Sequence, residues 1–320
     1  MSAAPRVLVV RFRAIGDCVM TAWPVTALRS RWPQATIVWA TEPLCAPVIH
    51  VPALADELVV FDRAAWKKSR WSPGTWINQV RTYLGLRRYK FDIGFDFQGH
   101  SKTALALRLA SPVHRFAMPG TDALARRLNP TQIPKTQPNH MVERMMALVR
   151  EAESCPMPKL PMLPELDRPD VGLPARYVVI NTGASAQDKL VPLTVWTQLA
   201  EALQARGVAT VAIGGPADAP LPAATLDLVG RTSLVESVGI VRGCMAHYSG
   251  DTGTGHLAAG YGLHALSVFM SDRNSPSRYR PFGPHGAAVE AYRDPGLLSA
   301  AALLEPIREL LDGTANASLK

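Results

Sequence analysis

The chain is poor in cysteine, with four in 320 residues, and none of the four lies near another in sequence. Cys18, Cys45, Cys155 and Cys244 show no CxxC spacing, which argues against a zinc site and against a disulfide framework. Scattered free thiols are typical of the cytosol, where disulfides rarely persist. We therefore expect a cytoplasmic protein without a zinc site or a disulfide framework.

Long hydrophobic runs are also missing. No apolar stretch approaches the roughly 20 residues that a membrane-spanning helix needs. The apolar residues 7–10 near the N-terminus are typical of a short strand, and Arg11, Arg13 and Asp17 follow at once. We therefore do not expect a secretory signal peptide.

Acidic residues are scarce in one part of the first half, although the chain as a whole carries a formal charge of +8. Residues 63–108 hold ten Lys or Arg against only Asp92 and Asp96, and Trp66, Trp71 and Trp76 lie among them. Such a stretch is either a solvated basic face or a contact surface for a membrane or a glycan. It lacks a helix-turn-helix or RNA-binding signature, so nucleic-acid binding is the least favoured partner class.

The remaining composition, 48% hydrophobic and 19% charged, predicts a folded protein of about two domains. In the first half, short apolar strands alternate with helical patterns, which indicates a parallel sheet covered by helices. The predicted strands are 7–11, 36–40, 57–61 and 92–97, and the predicted helices are 17–31, 75–86 and 101–109.

Six prolines between residues 154 and 174 are incompatible with a helix or central strand, so we interpret this segment as a linker. The same alternation restarts after it. The predicted strands are 177–181, 208–213, 244–249 and 265–270, and the predicted helices are 193–206, 233–242, a short one from 251 to about 262, and a closing helix at 295–311. This gives domains at 1–160 and 161–320.

The segment Asp251–Ala259, DTGTGHLAA, joins a predicted strand to a predicted helix through small residues. Asp251 or Thr252 is suited to cap the helix, and the glycines permit close approach to the backbone. The N–H groups of the first helical turn favour an anion such as a diphosphate. An ordinary capped helix explains the motif equally well.

Two more loops of the second half follow strands, so all three are expected at the same edge of the sheet. Residues 182–189 are small and polar and end in Lys189, which suits a phosphate. Residues 214–218 end in Asp218, a carboxylate suited to accept from a ribose hydroxyl. Neither Gly-rich loop matches a Walker A or GxGxxG pattern, which disfavours P-loop and classical NAD proteins.

Two loops of the first half follow strands in the same way. In residues 11–17, Asp17 is interpreted either as an N-cap or as a general base. In residues 96–102, the side chains of Gln98, His100 and Lys102 are suited to contact a polar substrate. A capping or core role for His100 is at least as well supported.

Taken together, these loops resemble glycosyltransferase family 9, the ADP-heptose:lipopolysaccharide heptosyltransferases, and look closer to the heptosyltransferase I type. The similar pieces occur in order across nearly the whole chain. They are RFRAIGDCVMTAWPVTALR (11–29), DFQGHSKTALALRLA (96–110), GASAQDK..P...W (183–196), IGGPAD (213–218), DTGTGHLAA (251–259) and the run 278–284.

The resemblance implies a GT-B fold, two Rossmann-like doubly wound α/β domains facing a central cleft, with the closing helix packing back on the first. It implies inverting transfer of a heptose from ADP-heptose to an anionic lipopolysaccharide inner-core acceptor of the Kdo-lipid A type. No metal and no cofactor are implied. The protein would act in the cytoplasm, peripherally on the cytoplasmic face of the inner membrane.

The resemblance also implies roles for particular residues. Asp17 matches the catalytic base. The donor site is implied to comprise Thr182, Gly183, Ser185, Lys189, Asp218, Asp251, Thr252, Gly253 and His256. From the basic stretch and the loops after the first-half strands we assign acceptor binding to Arg13, Lys67, Lys68, Arg70, Gln98, His100 and Lys102.

The chain departs from the family pattern at two places near the donor site. Leu190 and Val191 replace a basic residue and tryptophan, and Thr254 and Gly255 replace a Pro-Met-like pair. Two alternatives therefore stay open. One is a transferase of the same fold that uses another nucleotide-sugar or glycan acceptor. The other is a nucleotide- or glycan-binding protein without turnover, against which the presence of both Asp17 and Lys189 argues.

Overall fold

A computed structural model describes residues 4–129 and 138–311 of the chain. It divides into two compact units, Met1–Pro164 and Glu165–Lys320. The boundary falls inside the proline-rich stretch, where residues 154–174 form neither helix nor strand. Each unit is an α/β domain built on one parallel sheet.

The sheet of unit 1 has five parallel strands in the order β3-β2-β1-β4-β5. The strands are β1 Arg6–Val10, β2 Thr36–Thr41, β3 Glu57–Val60, β4 Ile93–Asp96 and β5 His114–Ala117. The helices are α1 Ile15–Arg31, α2 Ala46–Ile49, α3 Arg63–Lys68, α4 Pro73–Gly85, α5 Ser101–Ala110, α6 Ala123–Leu128 and α7 Met141–Ala152.

Strand β1 lies at the centre of unit 1, and its residues Val7–Val10 are fully buried. This explains their continuous apolar run, which is typical of a strand covered on both faces. Helix α1 is buried over most of its length and packs against α7. The strand and helix predictions for this half are confirmed within a few residues, whereas α2, α3, α6, α7 and β5 were not predicted.

The sheet of unit 2 has six parallel strands in the order β11-β10-β9-β6-β7-β8. The strands are β6 Tyr177–Asn181, β7 Ala209–Ile213, β8 Leu226–Asp227, β9 Ala246–Gly250, β10 His264–Val268 and β11 Gly286–Val289. The helices are α8 Leu193–Gln204, α9 Leu234–Arg242, α10 Gly253–Gly260, α11 Pro276–Tyr279, α12 Ala300–Leu304 and α13 Arg308–Leu311.

The closing segment corrects one prediction, because residues 295–311 do not form a single helix. Helices α12 and α13 are separated by a 3₁₀ turn at Glu305–Ile307, which contains Pro306. Proline removes a backbone donor and crowds the preceding turn, so a regular α-helix does not continue through it. Leu303, Leu304 and Ile307 of this segment belong to the core of unit 2.

No helix within residues 4–129 and 138–311 is long and apolar enough to cross a membrane.

Candidate functional site

Three loops of unit 2 meet at one edge of its sheet. Strands β9, β6 and β7 are neighbours and run parallel, so the loops that follow them all leave from their carboxyl ends. This is the edge at which open α/β sheets bind ligands. The structure thus brings together the segments after Asn181, Ile213 and Gly250, as the strand pattern predicted.

Asn181, the last residue of β6, connects two of these loops. Its side-chain oxygen accepts from the Gly183 N–H at 2.8 Å, and its amide nitrogen donates to Thr254 Oγ1 at 2.7 Å. Thr254 Oγ1 also lies 3.1 Å from Thr252 Oγ1. The start of α10 is therefore fixed against the loop after β6 by a residue that the sequence patterns did not single out.

An ion pair joins the same two loops. Lys189 Nζ lies 2.6 Å from Asp251 Oδ2, and the two side chains are only 17% and 11% exposed. Asn274 Nδ2 donates to the same oxygen at 2.6 Å. Because Lys189 has three N–H donors, this pair positions its ammonium group beside α10 while leaving further donor capacity. Asn274 was not predicted, since it lies 23 residues from Asp251 in sequence.

Helix α10 begins without a side-chain cap. Thr252 occupies the N-cap position, but its hydroxyl contacts Thr254 and does not bond the N–H groups of the first turn. The Asp251 carboxylate is bound to Lys189 and Asn274. Neither residue caps the helix as the sequence suggested, and the positive end of the α10 dipole is not satisfied by its own side chains.

Gly255 allows helix α10 to pack closely against the sheet. A Cβ atom there would lie 2.8 Å from Ser267 Oγ and 3.1 Å from Ser249 Oγ, so only glycine lets α10 lie this close to β9 and β10. His256, in the following position, is also buried. The departure from the family pattern at Thr254 and Gly255 therefore falls on residues that hold the helix to the sheet.

Asp218 closes the turn after β7. Its Oδ2 accepts from the Gly215 N–H at 2.6 Å, and a Cβ atom on Gly183 would overlap this carboxylate. Thr182 Oγ1 donates to the Ala219 carbonyl at 2.8 Å. Asp218 thus lies beside the loop after β6, as predicted, with one oxygen already used within its own turn. Ser185 is exposed in the same loop.

Asp17 lies on the first turn of α1 in unit 1. It is the third helical residue, so the N-cap interpretation is wrong; its Oδ2 instead accepts from the N–H of Ala14, the N-cap residue, at 3.1 Å. The same oxygen forms an ion pair with Arg11 Nη2, and the Asp17 side chain is 30% exposed. Arg11 is buried, and its Nη1 donates to the Phe97 carbonyl at 2.6 Å. Arg11 was not predicted as a site residue.

The loop after β4 is built around Asp96, which is fully buried. Its carboxylate accepts from the N–H groups of Gln98 and Gly99 at 2.9 and 3.0 Å and from Thr103 Oγ1 at 3.0 Å. Burial raises the pKa of this carboxyl to about 6 in spite of these three donors. Gln98 in turn accepts from the Phe12 N–H at 3.0 Å, which ties this loop to the segment that leads from β1 into α1, the helix of Asp17.

Several of the predicted acceptor residues lie within electrostatic range of one another. Burial lowers the pKa of Lys102, and the charges of Arg63, Arg13 and Lys67 lower it further. Burial also lowers the pKa of His100, whose Nδ1 lies 2.8 Å from Thr121 Oγ1. Arg63, which sequence reasoning left out, belongs to this cationic cluster and pairs with Glu42 at 2.6 Å.

Within the part of the chain that the structure describes, no hydrogen bond or ion pair links Lys68 or Arg70 to this cluster. Both are exposed near the end of α3, and the Arg70 guanidinium lies over the Trp71 ring at 5.1 Å.

Among the residues that the structure describes, no three His, Cys, Asp or Glu side chains are grouped so as to hold a metal ion. The four cysteines are free and buried, and burial raises the pKa of the Cys18 thiol well above its usual range. The Cys18 thiol donates to the Arg11 carbonyl oxygen at 3.9 Å.

The family model of glycosyltransferase family 9 (heptosyltransferase) matches residues 80–295. The chain belongs to glycosyltransferase family 9. Across 282 residues it is 30% identical to lipopolysaccharide heptosyltransferase 1 of Pseudomonas aeruginosa, covering 82% of this chain and 78% of that protein. This confirms the family resemblance seen in the loops.

Solved structures of family 9 enzymes share the fold. Escherichia coli heptosyltransferase WaaC with ADP superposes with a TM-score of 0.78 at 22% identity, covering 95% of this chain and 99% of that one. The same enzyme with ADP-2-deoxy-2-fluoro heptose gives a TM-score of 0.76 at 22% identity and the same coverage. Escherichia coli ADP-heptose lipopolysaccharide heptosyltransferase II gives 0.71 at 20% identity over 97% and 99%. The predicted GT-B class of fold, with two Rossmann-like domains, is confirmed.

Proposed function

We propose that this family 9 enzyme transfers a heptose, with inversion, from ADP-heptose to a lipopolysaccharide inner-core acceptor of the Kdo-lipid A type. The observation that carries the proposal is the meeting of Lys189, Asp251 and the uncapped start of α10 at one edge of the unit 2 sheet. The relatives named above, a heptosyltransferase from P. aeruginosa and WaaC with ADP and an ADP-heptose analogue, support the donor class.

In this proposal the donor diphosphate binds over the first turn of α10. The N–H groups there carry partial positive charge, and Lys189 adds a full charge beside them. Thr252 and Gly253 form the first turn, and Asp251 holds Lys189 in place. Asp218, beside Gly183, offers its second oxygen to the ribose. As the bond to the sugar breaks, the diphosphate gains negative charge, which Lys189 and the N–H groups stabilise.

Asp17 is proposed as the general base that takes the proton of the acceptor hydroxyl. Its partial exposure makes the carboxylate accessible, and the ion pair with buried Arg11 fixes its orientation. Arg11 is in turn held by the Phe97 carbonyl, so the base is supported by the loop after β4. Arg11 is therefore a positioning residue in this scheme. A single displacement with one base accounts for inversion.

The acceptor is proposed to bind the cationic cluster of Arg13, Arg63, Lys67 and Lys102, with Gln98 and His100 in the loop that leads into α5, the helix of Lys102. The closely spaced positive charges of this cluster repel one another when the site is empty, and an anionic inner-core sugar would relieve this repulsion. Lys68 and Arg70 extend the basic surface outside the cluster. An acceptor with a lipid anchor places the enzyme at the cytoplasmic face of the inner membrane, and we propose that location.

The departures from the family pattern are compatible with heptose as the donor sugar. Thr254 is bound to Asn181, Gly255 packs against Ser267, and Val191 is buried, so three of the four changed positions serve the interior of unit 2. A transferase for another nucleotide-sugar remains the second candidate, because Leu190 and Thr254 are both only partly buried there.

The test is a transfer assay with purified enzyme, ADP-heptose and a Kdo-lipid A acceptor. We expect turnover by the native protein, and loss of turnover by about two orders of magnitude or more in Asp17→Asn, the contribution typical of a general base. ADP should stabilise both proteins equally in thermal unfolding, and more than UDP or GDP does. Turnover only with a different nucleotide-sugar would select the second candidate. Nucleotide binding without any turnover would select a binding protein.

A further inference from the structure

Helix α4 exposes the apolar side of an amphipathic pattern. Its four exposed apolar side chains are Trp76 at 58%, Ile77 at 57%, Val80 at 54% and Leu84 at 43%. At about 100° per residue, these positions fall within an arc of about 100° on the helix surface. Trp71, in the turn before the helix, is 82% exposed. We call these five residues the α4 apolar surface.

The opposite side of α4 faces the protein and is mostly polar. Thr75, Gln79 and Thr82 are half-buried, and no residue of the helix is fully buried. Tyr83 is the aromatic residue that packs inward, with its ring 4.9 Å from that of Phe61. A helix that packs on a globular domain normally turns its apolar side inward. The reversed orientation of α4 indicates that its apolar side contacts something outside the chain.

Basic side chains flank the α4 apolar surface. Arg81 follows Ile77 by one helical turn, and Lys67, Lys68 and Arg70 precede Trp71. All four are exposed, and none forms an ion pair with another residue of the described chain. Apolar and tryptophan side chains rimmed by lysine and arginine are the pattern of a helix that lies in the interface of an anionic membrane.

We propose that α4, with Trp71, docks this enzyme onto a bilayer rich in anionic lipid. The apolar side chains would enter the boundary between headgroups and acyl chains, and the four basic residues would contact the headgroups. A second copy of the chain is a poorer occupant, because two such surfaces would bring Arg81, Lys67, Lys68 and Arg70 against their like-charged equivalents. This inference rests on the proposed function, because a lipid-anchored acceptor gives membrane docking its biological purpose. Membrane binding itself does not require catalysis.

The test is flotation of the full-length protein with vesicles of phosphatidylethanolamine and phosphatidylglycerol, compared with vesicles of phosphatidylcholine. We expect the native protein to float only with the anionic vesicles. Replacing Trp76, Ile77, Val80 and Leu84 by Gln should lower the partition coefficient at least about tenfold, since most of the inserted apolar area is lost. Arg81→Gln should lower it about fivefold, the effect of one charge at an anionic surface.

Matched controls distinguish vesicle binding through this surface from nonspecific hydrophobic binding and from unfolding of the variant. Val113 and Val235 are also exposed apolar residues, 74% and 45%, but lie outside α4, and their replacement by Gln should leave vesicle binding unchanged. The α4 variant should retain its stabilisation by ADP and its turnover of an acceptor stripped of acyl chains. Vesicle binding by the α4 variant equal to that of the native protein would overturn the proposal. So would a dimer in light scattering that the α4 substitutions dissociate. Failure of heptose transfer with intact vesicle binding would contradict only the proposed function.

Discussion

Replacing Lys189 by methionine, together with a change at Asp251, separates its structural role from its proposed role in donor binding. In the native protein its ammonium group and the Asp251 carboxylate are 2.6 Å apart, and both side chains are largely buried. Lys189→Met leaves a mostly buried carboxylate whose one remaining partner among the described residues is the Asn274 amide. Breaking a fully buried pair costs about 3–5 kcal/mol, and the remaining exposure here lowers our expectation to about 2–3 kcal/mol.

The second substitution, Asp251→Asn, removes the orphaned charge. The introduced amide would keep the shape of the side chain and an oxygen for Asn274, so the double variant should regain about 2 kcal/mol of the lost stability. ADP affinity should not return with it, because in the proposed site Lys189 contributes charge-assisted hydrogen bonds of about 1.5–3 kcal/mol to the diphosphate. We therefore expect ADP to bind roughly tenfold to 150-fold more weakly to both Lys189 variants.

Urea unfolding measures the stability of the four proteins in this cycle, and isothermal titration measures their affinity for ADP. A suitable control is Arg273→Met, which breaks the pair with Asp188 on the surface, where the arginine is 70% exposed. Its cost should stay below about 1 kcal/mol. Recovery of ADP affinity in the double variant would refute the reasoning, because Lys189 would then act only by neutralising Asp251.

Three further predictions concern the surrounding structure. Burial raises the folded-state pKa of Asp96 from 3.8 to about 6, so the folded protein binds this proton more tightly than the unfolded chain does. The free energy of unfolding should therefore fall by about 3 kcal/mol as the pH rises from about 4 to about 6. Asp96→Asn should remove this part of the pH dependence in urea unfolding. Gly255→Ala should cost about 1–3 kcal/mol through overlap with Ser267, and Ser267→Gly should restore part of it, whereas equal cost in both backgrounds would contradict this packing. High salt should weaken acceptor binding more than ADP binding in titrations, because the cationic cluster is more exposed to solvent than Lys189.

Local sequence pattern predicted most of the strands because they are buried on both faces. Tyr177–Asn181 and its neighbours are short, continuous apolar runs between turn residues, and parallel strands need such runs. Helix α7 was missed although Met141, Val142, Met145, Met146 and Val149 form a clear helical stripe. The stripe lies just before the proline-rich segment 154–174, whose prolines exclude regular structure from the residues that follow it.

The candidate site was predictable to the extent that strand ends define it. Because the strands run parallel, the loops that contain Lys189, Asp218 and Asp251 are expected at the same edge of the sheet. The residues that orient them were not predictable in this way. Arg11 reaches the Phe97 carbonyl, 86 residues away, and Asn274 reaches Asp251 from a loop without regular structure. Such contacts depend on side-chain direction across separate loops, which periodicity does not record.

The small residues of DTGTGHLAA illustrate how one motif serves two purposes that the sequence cannot separate. Gly255 is required by the strands beneath the helix, since any side chain there would meet Ser267 and Ser249. The hydroxyl of Thr252 contacts that of Thr254, which accepts from Asn181, and neither caps the first N–H groups of the helix. The tight packing of the second turn therefore fixes the first turn in place, and the absence of a cap directs its positive end outward. The proposed anion site depends on the two features together, because a capped helix with the same glycines would hold its position equally well but offer fewer free N–H groups to a diphosphate.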